Sequence, residues 1–348
     1  MPLPDLPLDV LDLVCDFLDQ HELVTVAASA PVFYPFAQHY LYRRITLANP
    51  KDAVRCLKTL QRSPHLARHV RFLSLRVDPC TPVFRSFVDL LASALALMVN
   101  LDTLDVVVPH NASRAFFAPE LYGSLYMRLT HFSCNLPLDD AICSFLQRVP
   151  AVKELQLGEY EATLPASTTL QSVPVLPATA LPRLAFFMGP GDAATVLVPG
   201  RPLESVHLYP GDLSDEVLDA LSRASSPITV LGAFTHSLSP STLQCLADSL
   251  PHLHFLRIMT MYHASNPPDE ICHCRALWCQ AFYAQVVQIL SALPDLVGAE
   301  LAGFRWFSWK DTASAQSHTK PTSFTAPPTP TVTQDELFDE DAVAIGLY

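Results

Sequence analysis

The chain has 348 residues, 50% of them hydrophobic and only 16% charged, so most of its length must be folded and well buried. A net charge of −12 argues against nucleic acid and anionic membranes as main partners, because both are gripped by clustered Lys and Arg. Only 10 glycines disfavour a phosphate-cradling loop, whereas 31 prolines point to many short elements separated by breaks.

Residues 4–46 read as three short amphipathic helices. Pro7 sits where a first helical turn tolerates it, with Asp9 and Asp12 near the positive end of the helix dipole. Val10, Leu13, Val14, Phe17 and Leu18 then fall on one helix face. Asp19 and Glu22 have capping-box spacing and open a second helix through Leu23, Val26, Ala27 and Ala30. Phe33, Phe36, Ala37, Tyr40 and Leu41 mark a third. Leu3, Leu6, Leu8, Leu11 and Val24 lie off these faces. A segment this short cannot bury so much apolar surface alone, so it must dock on the rest of the chain or on another protein.

The order of these residues resembles an F-box. Leu6-Pro7-Leu8-Asp9-Val10 matches the opening of that pattern, followed by aliphatics at Val14 and Leu18. The acidic-leucine pair is Glu22-Leu23, the next aliphatic Val26, and the closing small and aromatic residues Ala30 and Phe33. Two departures stand out: Pro31-Val32-Phe33 replaces a basic residue before Trp, and Ser29-Ala30 replaces a valine-serine step. The Leu41-Tyr42-Arg43-Arg44-Ile45 exit is similar to fungal members of the family.

Residues 50–310 repeat a unit of amphipathic helix and short strand of the form L-x-x-L-x-L. The strands start at Val70, Leu101, Leu129, Val152, Leu184, Leu203, Ile228, Leu253 and Leu296. Helices fill the gaps at 84–98, 138–149, 214–224 and 240–250, with Ser214 and Ser239-Pro240 as natural starts. Several strand starts lie 19 to 32 residues apart and the last interval is 43, so the array resembles irregular leucine-rich repeats, which run roughly 20 to 29. Each unit leaves an apolar face that only a neighbour can cover. The fold class expected is α/β, an N-terminal helical domain followed by a solenoid with parallel strands inside and helices outside. A doubly wound α/β domain is the alternative, since it too alternates strands and helices.

Residues 311–333 are Ser, Thr, Pro and Ala with little to form a core and read as a disordered linker. In residues 334–348 an acidic run, Asp335 to Asp341, precedes Val343, Ile345, Leu347 and Tyr348, readable as a solvated tail or a docking peptide. Trp306, Phe307 and Trp309 follow the last strand as a cap for the open end, or as a ligand site. Nine scattered cysteines suggest no disulfide framework and favour a reducing compartment. Asp5 and Asp9, without Lys or Arg, make no secretory leader, and stretches such as Leu90–Val99 are too short to span a bilayer. The expected location is cytoplasmic or nuclear.

Chemistry is sparse. Cys272, His273, Cys274 and Cys279, with His263, are zinc-type ligands, but their spacing strains tetrahedral coordination and no metal is assigned. Gly189-Pro190-Gly191 imitates a dinucleotide loop; the β-branched run before Pro199 reads as a strand or turn rather than the helix such a loop needs. No P-loop, nucleophile elbow or catalytic set emerges, so neither enzyme activity nor a cofactor is expected.

The resemblance implies the substrate-recognition subunit of a cullin-RING, SCF-type ubiquitin ligase, in which the F-box docks on a Skp-type adaptor and the repeats hold an unknown protein target. Leu6, Pro7, Leu8, Val10, Leu11, Val14, Leu18, Leu23, Val26 and Phe33 are the candidates for adaptor contact or for the core supporting it. Polar residues between strand leucines are the candidates for target contact: Ser74, Arg76, Asp105, His131, Glu154, Gln156, His207, Arg257 and Glu300. The alternative is a repeat-based binding scaffold with no ligase role, its N-terminal helices capping the solenoid.

Overall fold

Capping side chains and prolines set the limits of nearly every helix, and the computed structural model describes residues 7–78, 84–109, 116–117, 127–158, 176–209, 213–235, 239–260, 280–301, 304–309 and 323–324. Helix α1 (Leu8–Phe17) starts after Pro7, which occupies the N-cap and accepts from Val10 N and Leu11 N. α2 (Gln20–Ser29) opens on a full capping box: Glu22 N donates to Asp19 Oδ1 at 2.7 Å and Asp19 N donates to Glu22 Oε2 at 2.9 Å. Pro31 stops α2, and a 3-10 turn (Pro31–Phe33) leads into α3 (Tyr34–Arg43). Phe33 therefore belongs to that turn and not to the third helix. Leu11, Cys15, Leu23, Phe33 and Ala37 form a small core of their own, apart from the main one.

The chain then passes without a break into β1 (Arg44–Leu47), whose residues the sequence reading had placed before the array. There follow α4 (Pro50–Arg62), α5 (Pro64–Ala67), β2 (Phe72–Arg76), α6 (Arg85–Leu97), β3 (Thr103–Val107) and β4 (His131–Cys134). Next come α7 (Asp140–Leu146), β5 (Glu154–Leu157), β6 (Phe186–Gly189), α8 (Gly191–Leu197), β7 (Ser205–Leu208) and α9 (Asp215–Ser222). The last elements are β8 (Val230–Thr235), α10 (Pro240–Ser249), β9 (Phe255–Thr260), α11 (Gln280–Ser291), β10 (Gly298–Leu301), β11 (Phe304–Trp309) and β12 (Ser323–Phe324). Ser214 and Ser239 accept from Val217 N and Thr242 N, as capping hydroxyls should.

All described strands join one sheet in sequence order. β1 to β10 pair in parallel, and β11 and β12 close the far edge antiparallel. A doubly wound sheet reverses its strand order at a switch point; this order never reverses, so that alternative fails. The register stacks Ile45, Leu73, Leu104, Phe132, Leu155, Phe187, Val206, Leu231, Leu256 and Ala299 in one buried row. Residues one position along from these alternate toward the opposite face, which is half-open. Successive helices pack side by side over the buried rows: α4 on α6, α8 on α9, α9 on α10 and α10 on α11. Gly189 fits this stacking closely, since a methyl there would meet Leu157 O and Phe187 Cζ at 2.9 Å.

Two expectations need correction. Residues 191–197 form a helix after Gly189-Pro190, not a strand or turn, because Ala193, Ala194 and Leu197 are needed in the core. Residues 323–324, expected in a structureless linker, pair with β11. The side chains of Trp306, Phe307 and Trp309, and the Cys272–Cys279 cluster, lie outside the described residues.

Arg201 is the unusual core residue, 1% exposed and held by backbone carbonyls. Its guanidinium donates to the carbonyls of Pro177, Ala180, Val196, Leu197 and Pro199 at 2.8–3.3 Å. Val196 and Leu197 end α8, so the cation sits at the negative pole of that helix and ties residues 176–181 to it. Burial lowers the Arg201 pKa from its ordinary value, opposed by Cys143. Arg201→Met is expected to destabilise the chain by at least about 3 kcal/mol, because it orphans several buried acceptors. A urea midpoint within experimental error of wild type would refute this assignment.

Candidate functional site

Two surfaces stand out, one at each structural level. The first is α1. Leu11, at 0% exposure, and Cys15 face the small helical core one turn apart, whereas Val10, Leu13, Val14 and Phe17 form a second stripe on the solvent side. Phe17 is 80% exposed and Leu13 57%, and Leu8 at the start of the same helix is exposed too. Apolar side chains this exposed and this close together mark an interaction surface rather than scattered surface residues.

The structure divides the adaptor candidates accordingly. Leu8, Val10 and Val14 are exposed, as is Pro7. Leu11, Leu23 and Phe33 are interior residues of the helical unit, and Leu18 and Val26 pack against them half-buried. Leu6 lies outside the described residues. Leu13 and Phe17 belong to the exposed stripe although they were not among the candidates; their i, i+3, i+4, i+7 spacing with Val10 was the signal.

The helical unit meets the array at α3. His39 Nδ1 and His69 Nδ1 lie 3.1 Å apart with their rings edge to face. Burial first, then His39 and His65, lowers the His69 pKa from 6.5, which disfavours a charge on the His69 ring at this contact. Arg43 also pairs with Asp16 at 3.7 Å.

The second surface is the sheet face away from the helices. The register collects Ser74, Asp105, Gln156, His207, Arg257 and Glu300 in a single row, with Met188 and Gly232 between them. His131 and Glu154 occupy the adjoining row, and Arg76 ends β2. All nine target-contact candidates of the array therefore share one face, and their roles differ.

The β1–β5 half is occupied with itself. Arg44 lies 4.5 Å over the Phe72 ring. Asp105 accepts from Ser74 Oγ at 2.8 Å and meets Arg76 at 3.6 Å. His131 Nε2 contacts Glu154 Oε1 at 3.1 Å. Ser74 is buried, its hydroxyl already donated, so it offers nothing to a partner. Exposed pairs of this kind contribute little stability, and they fix the orientation of charge across the face.

The β6–β9 half is aromatic. Phe186 stacks near His207 at 5.3 Å between centroids, and Tyr209 meets Phe234 edge to face at 4.8 Å. Phe255, 42% exposed, stands on β9 of the same half. Gly232 leaves a gap into which the His207 ring leans: a methyl on Gly232 would stand 2.5 Å from His207 Nδ1. Burial, then the nearby Arg257 cation, lowers the His207 pKa from 6.5, so the ring is neutral at pH 7. Arg257 Nε faces Glu300 Oε2 at 3.4 Å.

Among the described residues no group of three His, Cys, Asp or Glu is placed to hold a metal. Burial pushes the thiols of Cys134 up to about 12 and of Cys143 up to about 11, far from a reactive thiolate. The helix after Gly189-Pro190 spans only Gly191–Leu197, with Gly191 itself buried in the packing. Among the described residues no helix is long and apolar enough to cross a membrane. No family model matches the chain, and no curated protein matches it.

Gly232→Ala is expected to push the imidazole of His207 off Arg257 and into solvent. Its pKa should then rise toward 6.5, read as the midpoint of a proton NMR titration of the ring. An unchanged midpoint would show that the glycine does not set the ring position.

Proposed function

We propose that the chain is the substrate-recognition subunit of an SCF-type cullin-RING ubiquitin ligase. The N-terminal helices are its F-box and dock on a Skp-type adaptor, which joins them to a cullin. The strand–helix array is a leucine-rich-repeat solenoid whose open face holds the target protein. The observation that carries this reading is the doubled apolar character of α1, with Leu11 and Cys15 turned inward and Val10, Leu13, Val14 and Phe17 turned outward. A helix that only capped the array would have no use for the second stripe.

In this reading the chain performs no bond chemistry and needs no cofactor or metal. It raises the effective concentration of target lysines beside a charged ubiquitin-conjugating enzyme. Its net charge of −12 suits protein partners in the cytoplasm or nucleus better than nucleic acid or anionic lipid.

Val14→Asp with Phe17→Asp alters only exposed side chains, so the folded state should survive with a thermal midpoint close to wild type. Affinity for a purified Skp-type adaptor should fall at least ~100-fold, because two apolar anchors are replaced by desolvated charges. Leu11→Asp should instead melt the helical unit, seen as lost helical circular dichroism. Wild-type chain that fails to bind the adaptor would reject the ligase reading in favour of a repeat-based scaffold with a helical cap.

A further inference from the structure

A third surface lies on the helix side of the array, distinct from α1 and from the open sheet face. α4 and α6 pack side by side, yet an open cleft of about 460 Å³ remains between them. Val54, Lys58 and Gln61, spaced i, i+4, i+7, form its α4 wall, and Phe87 and Leu90 line it from α6. Phe84, the residue before α6, also lines it and is 71% exposed. Lys51, Arg55, Lys58 and Arg62 follow i, i+4, i+7, i+11 and make an exposed cationic stripe on α4. Lys58 belongs to both stripe and wall, so the stripe borders the cleft. None of the four has an ion pair among the described residues. On a chain of net charge −12 these cations are a local reversal of sign. An apolar cleft with a cationic rim fits a segment in which bulky apolar residues stand between carboxylates.

The chain itself contains such a segment. Asp335-Glu336-Leu337-Phe338-Asp339-Glu340-Asp341 places five carboxylates around a Leu-Phe pair. Its own cleft is out of reach. α4 and α6 flank β2 in the chain, and β2 lies ten strand spacings from β12 along the sheet, about 48 Å. Residues 325–334, which join β12 to the segment, span at most about 36 Å when extended. The segment of a second copy has no such limit.

We propose that residues 335–341 of one chain dock in the α4–α6 cleft of a second copy and so join chains head to tail. Leu337 and Phe338 enter the cleft against Val54, Phe84 and Leu90, and the flanking carboxylates pair with Arg55, Lys58 and Arg62. Asp89, which lines the α6 wall, turns those carboxylates toward the α4 rim. The two contributing surfaces differ, so the contact is heterologous: a joined pair keeps one open cleft and one unbound segment for the next chain. Neither α1 nor the open sheet face takes part, and the inference stands independently of the ligase reading.

The test is sedimentation equilibrium of the full-length chain. The weight-average mass of wild type should rise above 38.3 kDa with concentration, and the association should weaken at least ~10-fold between about 0.05 and about 0.5 M salt. Leu337→Ser with Phe338→Ser removes the apolar anchors, and Arg55→Glu with Lys58→Glu reverses the rim at two exposed positions. Each pair of substitutions should weaken self-association at least ~10-fold. Phe84→Ser should do the same and stands in where charge reversal on α4 disturbs folding. Mixing the Leu337/Phe338 variant with the Arg55/Lys58 variant should restore association, but only as a one-to-one pair, since one supplies the cleft and the other the segment. Wild type that stays monomeric overturns the proposal, as does an oligomer indifferent to both sets of substitutions or a mixture that fails to recover. Binding of wild type to anionic vesicles or single-stranded DNA that the Arg55/Lys58 variant loses, with its self-association intact, also overturns it by assigning the stripe to lipid or nucleic acid.

Discussion

No strand–helix unit in this chain can bury its own apolar surface, and that constraint organises everything else. A four-residue strand such as β4 offers Phe132 and Cys134 to one side, and the seven residues of α7 cannot cover both them and their own apolar stripe. Only a neighbour in the same register can, which is why Ile45 through Ala299 line up across the parallel strands. The arrangement then has two raw ends. One meets α3 and the helical unit; at the other, β11 and β12 turn the sheet antiparallel.

Stacking on one side frees the other. With the buried rows assigned to packing, most residues between them are at least half-open to solvent. Their chemistry is uneven. The first half of the face neutralises its own charges through Arg76–Asp105 and His131–Glu154. The second half presents rings, a neutral imidazole and an incompletely paired guanidinium. A partner lying across both halves would find specificity of charge in one and apolar contact area in the other.

Much of the array was legible because the L-x-x-L-x-L spacing reports directly on which side chains point inward. Each of the nine strand starts from Val70 to Leu296 leads into an observed strand. β1 escaped because Arg44-Ile45-Thr46-Leu47 follows the helices with no turn residue to mark a boundary. α8 was misread because Thr195, Val196 and Val198 favour strands locally, and core burial of Ala193, Ala194 and Leu197 overrode that preference. In α1 the sequence shows two apolar faces, and periodicity alone does not say which turns inward. Arg201 gave no signal at all, since an arginine reads as a surface residue until five carbonyls are seen around it.

The junction at Arg43 and Arg44 has a mechanical meaning. α3 ends on one residue and β1 begins on the next, with the His39–His69 contact bracing the corner. There is no swivel. On the proposed reading, a target held on the sheet is presented at one angle and one stand-off from an adaptor on the N-terminal helices, so orientation is inherited through the backbone. Lengthening that corner by a few glycines would leave both grips intact and still scatter the cargo over a cone of directions.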